Sequence, residues 1–266
     1  MSTLRILHIA DIMGEPGRKA VTRLVPQIVR DREVGLVLGN AENAAGGFGL
    51  TKRVAEDLYG AGVHVLTGGN HMWDRREILD FIDEDNRILR PANYPGGVPG
   101  RGSGVYTSAG NHRVGVLNLL GRVFIKEVEC PFKAADREIA HLKEETPIII
   151  VDLHAEATSE KMAMGWHLDG RVTAVLGTHT HVQTADERVL PNGTAFICDV
   201  GMTGPFDSII GIQKELALRR FLTQLPVRFS VAKNDVFLNA VIVDADTETG
   251  RATSIERLQM PLRAGN

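Results

Sequence analysis

A layered α/β fold with mixed sheets is what the sequence predicts, and three features carry the prediction. Short apolar runs alternate with helix-period stretches through the opening part of the chain, as in strand–helix–strand units. Further on, adjacent strand patterns follow one another with only turns between them, which a purely parallel doubly wound sheet would not contain. No internal repeat, low-complexity tract or linker interrupts the pattern, so residues 1–266 are expected to form a single domain.

The elements follow in order. Residues 4–10 are a short apolar run ending at Asp11. After a loop, Ala20, Leu24, Val25, Ile28 and Val29 recur at helical spacing, with Pro16 near the start, where a missing N–H costs nothing. Residues 35–39 form the next strand pattern and end in Asn40-Ala41-Glu42-Asn43. A glycine-rich loop leads to Thr51, placed as N-cap of a helix through Tyr59. Residues 63–67 are a third strand, followed by Gly68-Gly69-Asn70-His71, and residues 75–82 a short helix. The Pro- and Gly-rich stretch 90–104 reads as a long loop. Strands at 105–108 and 114–120 flank Ala109-Gly110-Asn111 and form an antiparallel pair. A helix at 131–142, a buried strand at 148–153 ending at His154, and a helix at 158–167 come next. Residues 172–176 are a strand that stops at Gly177 and presents Thr178-His179-Thr180-His181. Residues 195–198, 227–232, 236–243 and 254–260 complete the strands, with a helix at 213–222 between the first two.

The bulk composition is that of an ordinary globular protein, 43% hydrophobic and 24% charged. A net charge of −3 argues against a chain held stably on nucleic acid by a basic surface. It does not exclude a nucleotide-sized ligand, because bound cations reverse the local field. The two cysteines, Cys130 and Cys198, are far apart and make no metal knuckle. With no signal-peptide layout and no apolar run of the ~20 residues a membrane span needs, a soluble cytoplasmic protein without membrane contact is expected.

Five strand ends carry groups suited to metals: Asp11; Glu42 and Asn43; Asn70 and His71; His154; His179 and His181. In extended backbone, side chains two apart point the same way, so His179 and His181 leave their strand toward one point. In open α/β sheets, ligands bind beyond the carboxyl ends of strands. Singly, each group has a bland alternative: an Asp as turn former, Asn43 and Asn70 as turn residues beside glycines, a histidine as a loop residue. Five such endings in one chain are hard to attribute to chance. Three histidines, two carboxylates and two amides exceed what one tetrahedral zinc takes, and suit two divalent ions. Without thiolates, iron or manganese leads, with zinc or magnesium as alternatives.

The ordered set Asp11, Glu42-Asn43, Gly69-Asn70-His71, His154 and Gly177-Thr178-His179-Thr180-His181 resembles the calcineurin-like metallophosphoesterases. Two departures stand out. Asp11-Ile12-Met13 lacks the histidine of the usual Asp-x-His, and Glu42 stands where the bridging residue is usually Asp. With Ala10-Asp11-Ile12-Met13-Gly14-Glu15-Pro16-Gly17 and Asn40-Ala41-Glu42-Asn43-Ala44, they look like the YmdB-like branch. The resemblance spans nearly the whole chain. It implies a four-layer α/β/β/α sandwich holding a dinuclear centre. One metal would take Asp11, Glu42, Asn43 and His181; the other would take Glu42, Asn70, His154 and His179. Asn43 would then replace the absent histidine. The branch resembles phosphodiesterases that act on 2′,3′-cyclic nucleotides, and its members suggest a homo-oligomer of two or four chains.

On that expectation, hydroxide generated between the metals attacks phosphorus in line with the leaving oxygen. His71, beside Asn70, is the candidate general acid; its alternative is a residue that only orients Asn70 or phosphate. Glu156 is placed to orient His154 from outside, since metal-bound imidazoles usually donate their other N–H. Residues 90–104 and 201–211 are candidate substrate loops by composition. Competing functions are a phosphomonoesterase or protein phosphatase on the same site, and a nucleotide-sensing regulator with little turnover. An amidohydrolase barrel fits poorly, because its His-x-His follows the first strand.

Overall fold

The structure, a computed structural model, describes residues 2–263. The chain runs β1 (Thr3–Ile9), α1 (Gly14–Asp31), β2 (Leu36–Asn40), α2 (Lys52–Gly60), β3 (Val65–Thr67) and β4 (Ile88–Leu89). It continues with β5 (Ser103–Thr107), β6 (Arg113–Leu120), α3 (Pro131–Lys143), β7 (Ile149–His154), α4 (Thr158–Leu168) and β8 (Ala174–Thr178). Last come β9 (Arg188–Val189), β10 (Ala195–Ile197), β11 (Gly204–Pro205), α5 (Lys214–Thr223), β12 (Val236–Asp246) and β13 (Ala252–Pro261).

Two mixed sheets result. The first has the order β11-β12-β1-β2-β3-β4, with β13 also paired to β12. Its β1 to β4 are parallel neighbours, while β12 runs antiparallel to β1. The second has the order β5-β6-β7-β8-β10-β9, parallel from β6 to β10 and antiparallel at both edges.

Strand side chains alternate between two faces, and the alternation sets the layers. Leu7, Ile9, Val37 and Leu66 turn outward from the first sheet onto Leu24, Val25, Ile28 and Leu58 of α1 and α2. Ile6, Leu36, Leu38 and Val65 turn inward and meet Val116, Ile150, Ala174 and Leu176 of the second sheet. The outer face of that sheet, with Leu117, Val151 and Val175, packs on Ala135, Ile139 and Met164 of α3 and α4. The order is α/β/β/α, as expected. Each fully buried Leu or Ile of these layers stabilises the fold by roughly 1.5–3 kcal/mol relative to exposure.

Local signals mostly acted as their chemistry dictates. Pro16 sits in the first turn of α1, and the Thr51 hydroxyl accepts the Val54 N–H at 3.4 Å to cap α2. Two expectations need correction. Residues 227–232 form no strand: Val231 makes one isolated bridge to Ile212, because the segment lies against a loop and not along a sheet edge. The helix at 75–82 is a short 3₁₀ turn, Arg76–Asp80, tied down by its one buried residue, Ile78.

Near their carboxyl ends the inward-facing positions change from apolar to polar. His8, Asn40, Thr67, Asn118, Asp152 and Thr178 all lie buried between the sheets. Asp152 is the hub of this layer. It accepts hydrogen bonds from the Asn40 amide at 3.0 Å and the Thr178 hydroxyl at 2.7 Å, and a further one from the Thr67 hydroxyl. Donors from both sheets therefore meet one carboxylate, directly beneath the strand ends.

Candidate active site

The predicted residues converge. Asp11 follows β1, Glu42 and Asn43 follow β2, Asn70 and His71 follow β3, His154 ends β7, and His179 and His181 follow β8. Around His154 Nε2 lie Glu42 Oε1 at 3.0 Å, Asn70 Oδ1 at 3.1 Å and His179 Nδ1 at 3.0 Å. On the other side of Glu42, the Asn43 Nδ2 stands 3.2 Å from Glu42 Oε1 and 3.2 Å from His181 Nε2. His181 Nε2 lies 3.9 Å from Asp11 Oδ1. The Asn43 carboxamide presents its nitrogen here; a half-turn would present Oδ1 to a cation instead.

Two glycines make this approach possible. A Cβ at Gly69 would run into Glu42 Oε2 and the His154 ring. One at Gly177 would run into the Cys198 carbonyl, where β10 lies against β8. The histidine turn is held in a backbone region that non-glycine residues seldom enter, with φ +105° at His179 and +66° at His181. Two carboxylates fix it. Asp11 Oδ2 accepts the His179 N–H at 2.9 Å, and Asp199 Oδ2 accepts the Thr180 N–H at 3.0 Å. Asp199 is itself paired with the buried Lys161 ammonium at 2.7 Å.

The donor chemistry fits cations. Each imidazole has one nitrogen occupied on the side away from the cluster. His154 Nδ1 meets the Thr178 hydroxyl at 2.9 Å, His179 Nε2 meets Glu156 Oε2 at 3.1 Å, and His181 Nδ1 donates to the Ile210 carbonyl at 3.0 Å. Nε2 of His154, Nδ1 of His179 and Nε2 of His181 are left facing inward with their oxygen neighbours. One ligand atom each from Glu42, His154 and His179 lies within 4.8 Å of the other two. Asp11 Oδ1 is buried without a hydrogen-bond partner among the described residues. Acceptor atoms packed this closely are what a divalent cation would satisfy.

The electrostatics are those of a crowded buried centre. Burial pushes the Asp11 carboxyl up to about 6, partly offset by His181 and His154. Burial also works to raise Glu42, but His154 beside it holds its carboxyl down at about 2. Burial opposes charge on His154, yet Glu42 and Asp11 raise it to about 9. Burial and the neighbouring His154 lower His179 to about 3, keeping its ring neutral.

His71 stands at the rim, its side chain 32% exposed. Its backbone N–H donates to Glu42 Oε2 at 2.9 Å, its Nδ1 pairs with Asp74 Oδ2 at 2.8 Å, and its ring packs in a T-shape with that of Phe48. Tyr94 and Ile210 bring both predicted loops to the site: the Tyr94 hydroxyl donates to the Gly69 carbonyl at 3.4 Å, and Ile210 holds His181. Glu156 is reassigned: it meets His179, not His154, because His154 Nδ1 already faces Thr178 inside the sandwich. Sequence reasoning missed Asp199, Lys161 and Lys126, whose ammonium donates to the Asn70 carbonyl at 2.7 Å. Asp199 was detectable as a further polar strand end, after 195–198.

A family model described as "YmdB-like protein" matches residues 7–258. A 2′,3′-cyclic-nucleotide 2′-phosphodiesterase of Bacillus subtilis is 49% identical over 255 residues, 96% of each chain. A crystal structure of a hypothetical protein from Thermus thermophilus superposes with a TM-score of 0.90 at 43% identity, covering 97% of this chain and 99% of that one. A structure described as a novel phosphatase from Mycoplasma pneumoniae gives 0.91 at 35% identity, covering 98% and 94%. With the strand-end constellation and the α/β/β/α layers in place, the chain belongs to the YmdB-like family of calcineurin-like metallophosphoesterases.

Proposed function

We propose that this protein is a metal-dependent phosphodiesterase acting on 2′,3′-cyclic nucleotides. The observation that carries the proposal is the crowding of three ligand-type atoms within 3.1 Å of His154 Nε2, with the Asp11–Asn43–His181 group across Glu42. The name of the Bacillus subtilis relative supplies the substrate class. Asp11, Glu42, Asn43 and His181 would hold one divalent ion; Glu42, Asn70, His154 and His179 would hold the other, with Glu42 shared. Iron or manganese suits this nitrogen and oxygen set best, with zinc or magnesium as alternatives. When bound, such ions supply Lewis acidity toward phosphoryl oxygen and a water acidic enough to react near neutral pH.

The chain's own residues do the rest. Asp11 and Asp199 fix the turn that aims His179 and His181. Gly69 lets Asn70 approach Glu42 and His154 closely. Asp74 holds Nδ1 of His71, so Nε2 is the atom left to face a substrate at the rim. His71 is the general acid that delivers a proton to the leaving ribose oxygen. Lys126 and Tyr94, flanking Asn70 and Gly69, border the same opening. A homo-oligomer in the cytoplasm belongs to the same proposal: α5 leaves Phe221 and Leu222 exposed, a surface suited to a second copy.

The Mycoplasma pneumoniae neighbour's description as a phosphatase favours one second reading, a phosphomonoesterase on the same site. The decisive assay uses manganese-reconstituted protein, with a chelated control, on a 2′,3′-cyclic nucleotide and on a nucleoside monophosphate. Metal-dependent opening of the cyclic diester is expected. Turnover of the monoester alone would replace the proposal with the second reading.

A further inference from the structure

Thr178 closes β8, and its hydroxyl is enclosed between two partners. Oγ1 lies 2.7 Å from Asp152 Oδ1 and 2.9 Å from His154 Nδ1. A hydroxyl has one proton to give. The Asp152 carboxylate only accepts, and its other oxygen already takes the Asn40 amide at 3.0 Å and the Thr67 hydroxyl. The Thr178 proton is therefore committed to Asp152. Its lone pair faces His154 Nδ1, which must carry a hydrogen to be satisfied. That assignment leaves Nε2 as the ring atom facing Glu42, Asn70 and His179, where a cation would take the place of its hydrogen.

We infer that Asp152 and Thr178 are positioning residues that hold the His154 Nδ1–H, and with it the orientation of the ring, through a carboxylate–hydroxyl–imidazole chain. A ring held by its Nδ1–H is the one that turns Nε2 toward a divalent cation. The inference rests on the metal-dependent function proposed above. Neither residue reaches the site opening: Thr178 is fully buried and Asp152 is 1% exposed. The Thr178 hydroxyl acts on the site through His154, while Asp152 also braces Asn40, whose Oδ1 accepts the Glu42 N–H at 3.2 Å. Without the hydroxyl, the buried Nδ1–H loses its acceptor and the ring loses the contact that fixes its orientation, while Glu42 stays 3.0 Å from Nε2. Asp152 is anchored from the other sheet by Asn40 and Thr67, so the chain that orients a ligand on β7 is braced by β2 and β3.

The test compares wild type with Thr178→Val, which keeps the shape and removes the hydroxyl, and Thr178→Ser, which restores it. Zinc is the probe, being diamagnetic. Two readouts are taken: zinc affinity of the metal-free chain by chelator competition, and the His154 Nδ1–H resonance of the zinc-loaded chain by ¹⁵N-histidine NMR. Thr178→Val should weaken zinc roughly 10–100-fold and move the His154 Nδ1–H resonance upfield as its hydrogen bond is lost, with Thr178→Ser close to wild type in both. Thr178→Ala gives a second approach to the same loss of hydroxyl, should Thr178→Val fold poorly. Wild-type zinc affinity with an unchanged Nδ1–H resonance in Thr178→Val would overturn the inference and leave the metal-dependent proposal standing. Weaker zinc with an unchanged Nδ1–H resonance would overturn it too, marking a packing effect. A wild-type chain that binds no zinc overturns both.

Discussion

Truncating Lys161 to methionine probes a deeply buried ion pair. Lys161 Nζ lies 2.7 Å from Asp199 Oδ2, with both side chains 1% exposed. Methionine keeps much of the aliphatic stem and removes the ammonium, leaving a carboxylate without a countercharge. Breaking one side of a buried pair costs about 3–5 kcal/mol. Asp199 retains the Thr180 N–H at 3.0 Å and the Gly201 N–H at 2.8 Å. Those charge-assisted bonds put the loss at the lower end, about 3 kcal/mol. In a chain of this size each kcal/mol moves the melting midpoint by about 2–4 °C, so Lys161→Met should melt roughly 6–12 °C lower. Adding Asp199→Asn removes the orphaned charge while keeping an acceptor for the backbone, and should recover part of the loss. Melting is followed by circular dichroism with chelator present, so that bound metal does not stabilise the samples unequally. A Lys161→Met chain melting within about 1 °C of wild type refutes the claim that the ammonium compensates a buried charge.

Three other perturbations have defined outcomes. Gly69→Ala places a methyl against Glu42 and His154, and should weaken manganese by at least about tenfold in calorimetric titration, with a much smaller change in melting. Thr51→Ala removes the α2 cap; because its 3.4 Å bond is long, the loss in urea unfolding should be about 0.5–1 kcal/mol. Arg5 donates to both Asp244 oxygens, at 2.7 and 3.0 Å, and holds that carboxyl below its usual value. A lowered folded-state value means stability that is complete above the ordinary carboxylate range and lost as pH falls through the folded-state value. Arg5→Met should therefore cost about 0.5–1 kcal/mol at neutral pH, discounted for partial exposure, and the gap to wild type should close in acid.

The strand-end residues were legible because each one follows an apolar run that any strand criterion finds. Asp11, Glu42, Asn70, His154 and His179 lie just past or at the end of β1, β2, β3, β7 and β8. The resemblance turned that set into a layer order, and the paired sheets match it. What the sequence hid was partnership between strands. Asp199 braces the histidine turn only because β10 lies beside β8, and no local pattern declares that neighbour. Glu156 went to the wrong histidine for the same reason: spacing along the chain placed it near His154, while the inward pointing of His154 put its Nδ1 on Thr178. Residues 227–232 have strand composition, yet without a free sheet edge beside them the composition is not enough.

The place of β1 has a consequence for synthesis. Thr3–Ile9 lies between β2 and β12, pairing Leu4 with Ala245 and Ile9 with Ala240. Every candidate ligand precedes residue 182, yet the strand that leads to Asp11 keeps one hydrogen-bonding edge open until Val236–Asp246 has emerged from the ribosome. Such long-range pairing closes slowly, and an open, apolar strand edge is what invites pairing with other chains. A nascent chain can therefore carry all its ligand residues well before the first sheet is sealed. Its vulnerable interval ends with the arrival of the C-terminal hairpin.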